Sequence, residues 1–329
     1  LTYSDQDLTL TMDRFRSRYL DGAAARIANE IDAVGLTTLY QDVYNSIGTP
    51  GTVPATILIY LNAGVALDNT GTPRRGRNTR SAVIGSQMQA TLVNAGSGLF
   101  QSAERIREQY EDGEMGQGLG FNFSMDQNIA THTVGPLGGT PLVNGASQTG
   151  SNLITDGWTS AAANRLRKGD MFTIGTGTAQ IFGVKPQTAA AAGATSTGVL
   201  QQFTVTSDTD STAAGALTIP ISPPITPSGS FQTVTASPND NAAITMIGAA
   251  NTVTPQGLAF HRNFATLVTV DLEAVRGVDM MGRINDEDLG IAMRLVRAYD
   301  INTNRRPTRL ETLLGWALLY AEMACRIHS

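Results

Sequence analysis

From Asp7 to about Ile47 the chain runs for roughly 40 residues at helical spacing, which at 1.5 Å per residue would span about 60 Å. Leu8, Met12, Phe15 and Tyr19 recur four and three residues apart, and Ile27, Ile31 and Val34 continue the stripe. Asp5 or Asp7 can cap the start, Gly22 and Gly35 are tolerated weak points, and Gly48-Thr-Pro-Gly ends the pattern. A helix of that length outreaches a compact domain. It must either join a bundle or brace a flat sheet, and both readings stand at this point.

A second helix is expected from Val53 to Leu67 with Ile57, Leu58 and Leu61 on one face, and further helical patches at Gly85 to Ala95 and Leu99 to Tyr110. From about His132 the texture changes. As far as Pro238 the chain is rich in Gly, Thr, Ser, Ala and Pro, with short alternating runs at Met171–Ile174, Gln180–Val184, Val199–Val205, Ala216–Ile219 and Phe231–Val234. Those runs predict strands separated by turns, hence a small β-barrel or sandwich. Ala189 to Thr197 is of low complexity and reads as a mobile loop. Regular structure resumes after Asn239: a helix at Asn241–Ala250, strands at Phe264–Leu272 and Gly290–Ile301, and a polar loop between them at Gly277–Asp288. Leu310 to Ile327 fits a helix in its first half and a strand in its second.

Composition narrows the function classes. Charged residues make up 16% of the 329, against roughly 25% in an ordinary soluble chain, so much of the surface is neutral and suited to protein–protein contact. The net charge of −5 argues against a dedicated nucleic-acid binder, which needs a basic face. Lys168 and Lys185 are the only lysines. The excess of Arg suits interfaces and equally reflects a genome's base composition. A single Cys325 excludes an internal disulfide and a cysteine zinc site and fits a reducing compartment. No apolar run approaches the roughly 18 residues of a membrane span, and no signal peptide opens the chain.

Chemistry finds no starting point. His132, His261 and His328 lie far apart, without the helical spacing of metal ligands. Asp286-Glu-Asp lacks the alternating oxygens of a calcium loop and reads as a solvated acidic turn. In Gly116-Gln-Gly-Leu-Gly the third glycine comes one residue early for a dinucleotide loop, so a turn before a Phe121–Met125 strand is expected. No nucleophile elbow or phosphate loop appears. Neither enzymatic activity nor a cofactor is expected. The densest charge feature is Arg74-Arg75-Gly-Arg77-Asn-Thr-Arg80, read either as a solvated loop or as guanidiniums that meet a neighbouring subunit's carboxylates or packaged phosphate. Arg294 and Arg297, within a strand, read as salt-bridge partners.

Thr254-Pro-Gln-Gly-Leu-Ala-Phe-His-Arg-Asn-Phe-Ala, Leu289-Gly-Ile-Ala-Met-Arg-Leu-Val-Arg-Ala-Tyr-Asp and Leu310-Glu-Thr-Leu-Leu-Gly-Trp-Ala carry a resemblance to a known family. Asn144-Gly-Ala-Ser-Gln-Thr-Gly, Asp156-Gly-Trp and Lys168-Gly-Asp-Met-Phe add to it. Together they resemble the coat proteins of Salmonella phage P22, which build icosahedral heads from the Hong Kong 97 phage capsid fold.

The resemblance implies an α+β chain: residues 1–50 as the spine helix of a peripheral domain, 51–134 as the first part of an axial domain, 135–238 as an inserted β domain, and 239–329 as the rest of the axial domain with peripheral strands. It places a short helical turn and then a strand in Leu310–Ile327. It implies a virion capsid assembled in the host cytoplasm from hexamers and pentamers, with scaffolding and portal proteins as partners and packaged DNA as a non-specific neighbour. The family has an N-terminal arm and an extended loop ahead of its spine helix, and these residues hold neither, so arm-mediated contacts are left open. With both lysines inside the β insert, covalent Lys–Asn crosslinking between subunits is not expected either. The alternative reading is a β-rich tail or spike protein that binds host carbohydrate, which would explain the Thr, Ser and Gly insert but not the long helix. A hydrolase with an appended β domain would need converging carboxylates.

Overall fold

The computed structural model describes residues 2–4, 21–74, 79–96, 116–161, 163–185, 196–286, 291–303 and 305–329. The chain is mixed α+β with strands dominating, and it divides into two compact units: Leu1–Gly35 with Ala265–Leu318, and Leu36–Phe264 with Leu319–Ser329.

In the first unit, helix α1 (Asp21–Leu39) contributes its residues up to Gly35. Strands Met280–Asp286, Ile291–Arg297, Arg305–Glu311 and Thr2–Ser4 form an antiparallel sheet in that order. Ala265–Val270 and Leu313–Leu318 pair antiparallel as a separate ribbon. The indole N–H of Trp316 donates to the Ile31 carbonyl at 3.2 Å. A Cβ on Gly35 would come within 2.5 Å of the Trp316 ring, so the glycine permits the ribbon's close approach to α1. Within this unit α1 thus rests against a ribbon from the far end of the chain.

Among the described residues the second unit holds two large sheets and a two-stranded ribbon of Phe182–Val184 with Ser196–Leu200. Its larger sheet has Val253–His261 at the centre, flanked antiparallel by Ala324–His328 and Arg80–Ile84. Ser46–Ile47 adds parallel to Ala324–His328, and Phe121–Met125 adds parallel to Arg80–Ile84. Gln117–Gly118 turns back on Phe121–Met125, the turn expected of the glycine run. Thr131–Thr133 pairs with the start of the central strand. Helices α2 (Ile57–Asn69) and α3 (Ser86–Gly96) supply Tyr60, Leu67, Met88 and Leu92 to a core that meets Ile84, Phe123 and Ile327 of the sheet. Period-2 alternation puts Ala82 with Ile84, and Cys325 with Ile327, into that core.

The smaller sheet is a six-stranded barrel in the order Ile244–Met246, Met171–Ile174, Gln202–Val205, Leu217–Ile225, Gly150–Trp158 and Gly139–Val143. Hydrogen bonds from Val143 N to the Ala242 carbonyl and from Asn241 N to the Val143 carbonyl, each 2.9 Å, join its first and last strands. Closure removes the free edges that an open sheet exposes. Leu153, Phe172, Ile174, Phe203, Ile219 and Val234 fill the interior at zero exposure. Of the expected strands, Met171–Ile174 matches end to end. Val199–Val205 is broken at Gln201 into Ser196–Leu200 and Gln202–Val205.

Several expectations are corrected. The first helix stops at Leu39, not Ile47: Tyr40–Asp42 tighten into a 3₁₀ turn and Ser46–Ile47 become a strand, because the carbonyls of Gln41, Val43 and Asn45 are taken by groups remote in sequence. Residues 5–20 and the helix expected at 99–110 lie outside the described residues. On α2 the buried face is Tyr60, Ala63, Gly64 and Leu67, while Leu58 and Leu61 are exposed. Asn241–Ala250 is turn and strand, since Ile244 must close the barrel. Met280–Asp286, read as a polar loop, is a strand whose pairing with Ile291–Arg297 outweighs its polarity. Phe231–Val234 makes no strand beyond one bridge from Val234 to Gly183. The expected helical turn near Leu310 is strand, with only Ala321–Met323 turning as 3₁₀ before Ala324–His328.

Candidate functional site: a buried arginine junction and the arginine-rich turn

Strand Ala324–His328 is buried throughout, and Arg326 at its centre is fully buried. A buried guanidinium is costly unless each donor finds an acceptor. Here Nε donates to the Val43 carbonyl at 2.8 Å, Nη1 to the Gly169 carbonyl at 2.7 Å, and Nη2 to the Gln41 carbonyl at 3.0 Å and Thr204 Oγ1 at 2.8 Å. The guanidinium carbon lies 5.4 Å from the Tyr40 ring centroid. Burial lowers the guanidinium pKa to about 10, so Arg326 keeps its charge at neutral pH. The junction thereby ties the end of α1, the edge of the barrel and the last strand of the larger sheet to one side chain.

Tyr40 extends the network. Its hydroxyl lies 3.2 Å from Nδ1 of His132, whose Nε2 lies 2.8 Å from Asp170 Oδ1. With the proton on Nε2, His132 donates to the carboxylate and accepts from the phenol, which satisfies all three groups. Asp170 also receives the backbone N–H groups of Gly135 and Arg167 at 3.1 and 2.8 Å. A second clasp lies nearby in sequence: Gln202 accepts from Ser46 N at 2.5 Å and donates to the Ser46 carbonyl at 3.0 Å, so its amide stands in for a neighbouring strand at the sheet edge.

His, Asp and Tyr in series is a proton-transfer arrangement in an open cleft, but His132 and Asp170 are 5% and 1% exposed. Without access for a substrate, the network's capacity is mechanical: it holds segments together. Among the described residues, no three His, Cys, Asp or Glu side chains gather where they could hold a metal ion. His328 is also buried; burial lowers its pKa to about 3, and its Nε2 has no hydrogen-bond partner among the described residues.

The arginine-rich turn divides. Arg80 is buried, bonded to Asp68 Oδ1 at 2.7 Å and to the Thr72 and Pro73 carbonyls, and so fixes the turn after α2. Arg74 meets Asp68 Oδ2 at 3.2 Å with 64% of its side chain exposed. Arg75 and Arg77 lie outside the described residues. Arg294 pairs with Glu311, and Arg297 with Asp279 at 3.0 Å, the roles expected of them. The junction residues were missed in the sequence, although Ala324-Cys-Arg-Ile-His carried a signal: an arginine inside a run that is otherwise compatible with full burial.

A family model described as "P22 coat protein - gene protein 5" matches residues 1–326. Among solved structures, a chain from Mycobacterium phage Che8 is similar at 13% identity, covering 99% of this chain and 68% of that one, with a TM-score of 0.41. That likeness is too remote to build on. No curated protein matches the sequence.

Proposed function

We propose, from the premise that this chain belongs to the P22 coat-protein family, that its copies close as hexamers and pentamers into an icosahedral phage head around double-stranded DNA. The family is a structural, non-enzymatic one, and the chain is a major capsid protein that assembles into a shell. The observation that carries this is the family match over residues 1–326. Among the described residues, no helix is long and apolar enough to cross a membrane.

Within that reading the fold is of the Hong Kong 97 phage capsid type. Residues 1–50 provide the spine helix of the peripheral domain, which α1 and its contact with Trp316 support. Residues 51–134 and the last strands make the axial domain, supported by the larger sheet with α2 and α3. The inserted domain is read at 135–238, and the pairing of Ile244–Met246 with Met171–Ile174 supports extending that reading to Met246. Assembly proceeds in the host cytoplasm with scaffolding and portal proteins. Of the arginine-rich turn, Arg74 keeps the proposed contact with a neighbouring subunit or packaged phosphate, together with Arg75 and Arg77, whereas Arg80 serves its own chain.

Electron micrographs of the expressed chain test the proposal. Closed shells are the expected result. Fibres or trimers would point instead to a tail or spike component, and lone monomers at high concentration would remove the shell reading. Arg74→Ala, Arg75→Ala and Arg77→Ala together are expected to leave the chain folded and to reduce particle yield; an unchanged yield would remove the turn from the contact set.

A further inference from the structure

Within the first compact unit the two sheets differ in charge. The four-stranded sheet is rich in arginine, and five of its cations are paired within the chain: Arg283 with Asp271, Arg294 and Arg309 with Glu311, and Arg297 and Arg306 with Asp279. The ribbon, Ala-Thr-Leu-Val-Thr-Val at 265–270 and Leu-Leu-Gly-Trp-Ala-Leu at 313–318, contains no charged residue.

Alternation gives the ribbon two faces. Leu267, Leu314, Trp316 and Leu318 are half-buried, and Trp316 bonds α1 from that side. Val268, Val270 and Leu313 point the other way, at 50%, 55% and 51% exposure, with Val270 directly opposite Leu313 in register. Gly315 and Ala317, small and exposed, and Thr266, opposite Ala317, complete that outer face, so a single hydroxyl is its one polar side-chain group. Among the described residues no third strand joins the ribbon.

We propose that the outer face of this ribbon, centred on Val268, Val270 and Leu313, is an assembly surface covered by a second copy of the chain in the finished shell. The proposal rests on the shell reading. A face without cations lacks the electrostatic attraction that draws phosphate, and one without any charge offers no complement to a strongly acidic or basic partner. Another copy of the chain is the apolar partner that every subunit of a shell must meet. Size indicates how such a contact works. Two strands of six residues present about 20 by 10 Å, roughly 200 Å², against the roughly 800 Å² per partner of a stable pair. The contact therefore cannot hold a free dimer. It forms where the shell's other contacts hold the copies in place.

The test uses a thiol. Cys325 is fully buried with its pKa pushed up to about 12, so the unaltered chain is silent to maleimide. In Val268→Cys, maleimide is expected to label the dissociated chain fully and to react at least tenfold more slowly in particles assembled from this chain alone. Equal rates in particles and dissociated chain overturn the proposal. Protection that appears only when another virion protein is added overturns it in favour of that protein. If Val268→Cys stays folded but no longer assembles, the face is needed for assembly, which supports the proposal, and Leu313→Cys carries the labelling. Should the unaltered chain form no particles in micrographs taken before labelling, the shell reading fails on its own and takes this proposal with it.

Discussion

In the barrel, Leu153, Phe172, Ile174, Phe203 and Ile219 are at zero exposure and the sheet closes on itself, whereas in the first compact unit Ile31 and Ala292 are the only apolar side chains buried among the described residues. The barrel covers its own apolar faces. The first unit leaves Val268, Val270, Met280 and Leu313 at about half exposure, and among the described residues its two sheets keep open edges. A closed barrel completes its burial and its backbone pairing within one chain. The described part of the first unit has no such closure. Under the assembly surface proposed above, the two regions have different relations to the shell: one folds to completion in the monomer, the other is finished by its neighbours.

The largest effect tests the barrel. Phe172 stacks on Phe203 with ring centroids 5.7 Å apart at zero exposure, so Phe172→Ala is expected to cost about 3–5 kcal/mol by chemical denaturation of the dissociated chain. A cost below about 1 kcal/mol would mean that the barrel is no better packed than the open sheets. Of similar size is the loss at the junction: Arg326→Ala takes the side-chain donor from the Val43 and Gly169 carbonyls, while Gln41 and Thr204 keep their bond to each other, at about 1–3 kcal/mol for each stranded carbonyl. Were it nearly neutral, the barrel would not depend on that tie to the larger sheet.

Acid separates the regions next. All three histidines lie in the larger sheet, and neither the barrel nor the first unit holds one. The folded-state pKa of His328, at about 3, is below its unfolded value near 6.5, so below pH 6.5 the unfolded chain binds a proton that the folded chain refuses. Stability is thus held above pH 6.5 and falls by up to about 1.4 kcal/mol per pH unit down to pH 3. Hydrogen exchange should show the strand Ala324–His328 opening with acid while the barrel amides stay protected, and His328→Gln should flatten that dependence.

The smallest expected effect is in the first unit. Gly35→Ala would favour helix by about 1 kcal/mol. Its Cβ, however, would meet the Trp316 ring at 2.5 Å, and displacing that side chain gives up its bond to Ile31. Overpacking of this kind costs about 1–3 kcal/mol, so a net loss of up to about 2 kcal/mol is expected, with a change in Trp316 fluorescence. A stabilised variant with unchanged fluorescence would show that the ribbon does not rest on α1.

Periodicity alone determined that Asp21–Leu39 is helical, that the middle of the chain is β, and that Arg294 and Arg297 are strand residues, because each of these is legible within one element. Where an element's fate depends on a distant partner, local spacing misled. Ser46–Ile47 left the helical pattern for an edge beside Arg326 and Ile327, Ile244–Met246 left it to close the barrel, and polar Met280–Asp286 became a strand on meeting Ile291–Arg297. The junction shows the same division. Tyr40, His132, Asp170, Thr204 and Arg326 are scattered from one end of the sequence to the other, and no local pattern marks them as a set. Only folding brings them together, because a buried guanidinium gathers whatever acceptors the packed chain places around it, and the sequence does not say which those are.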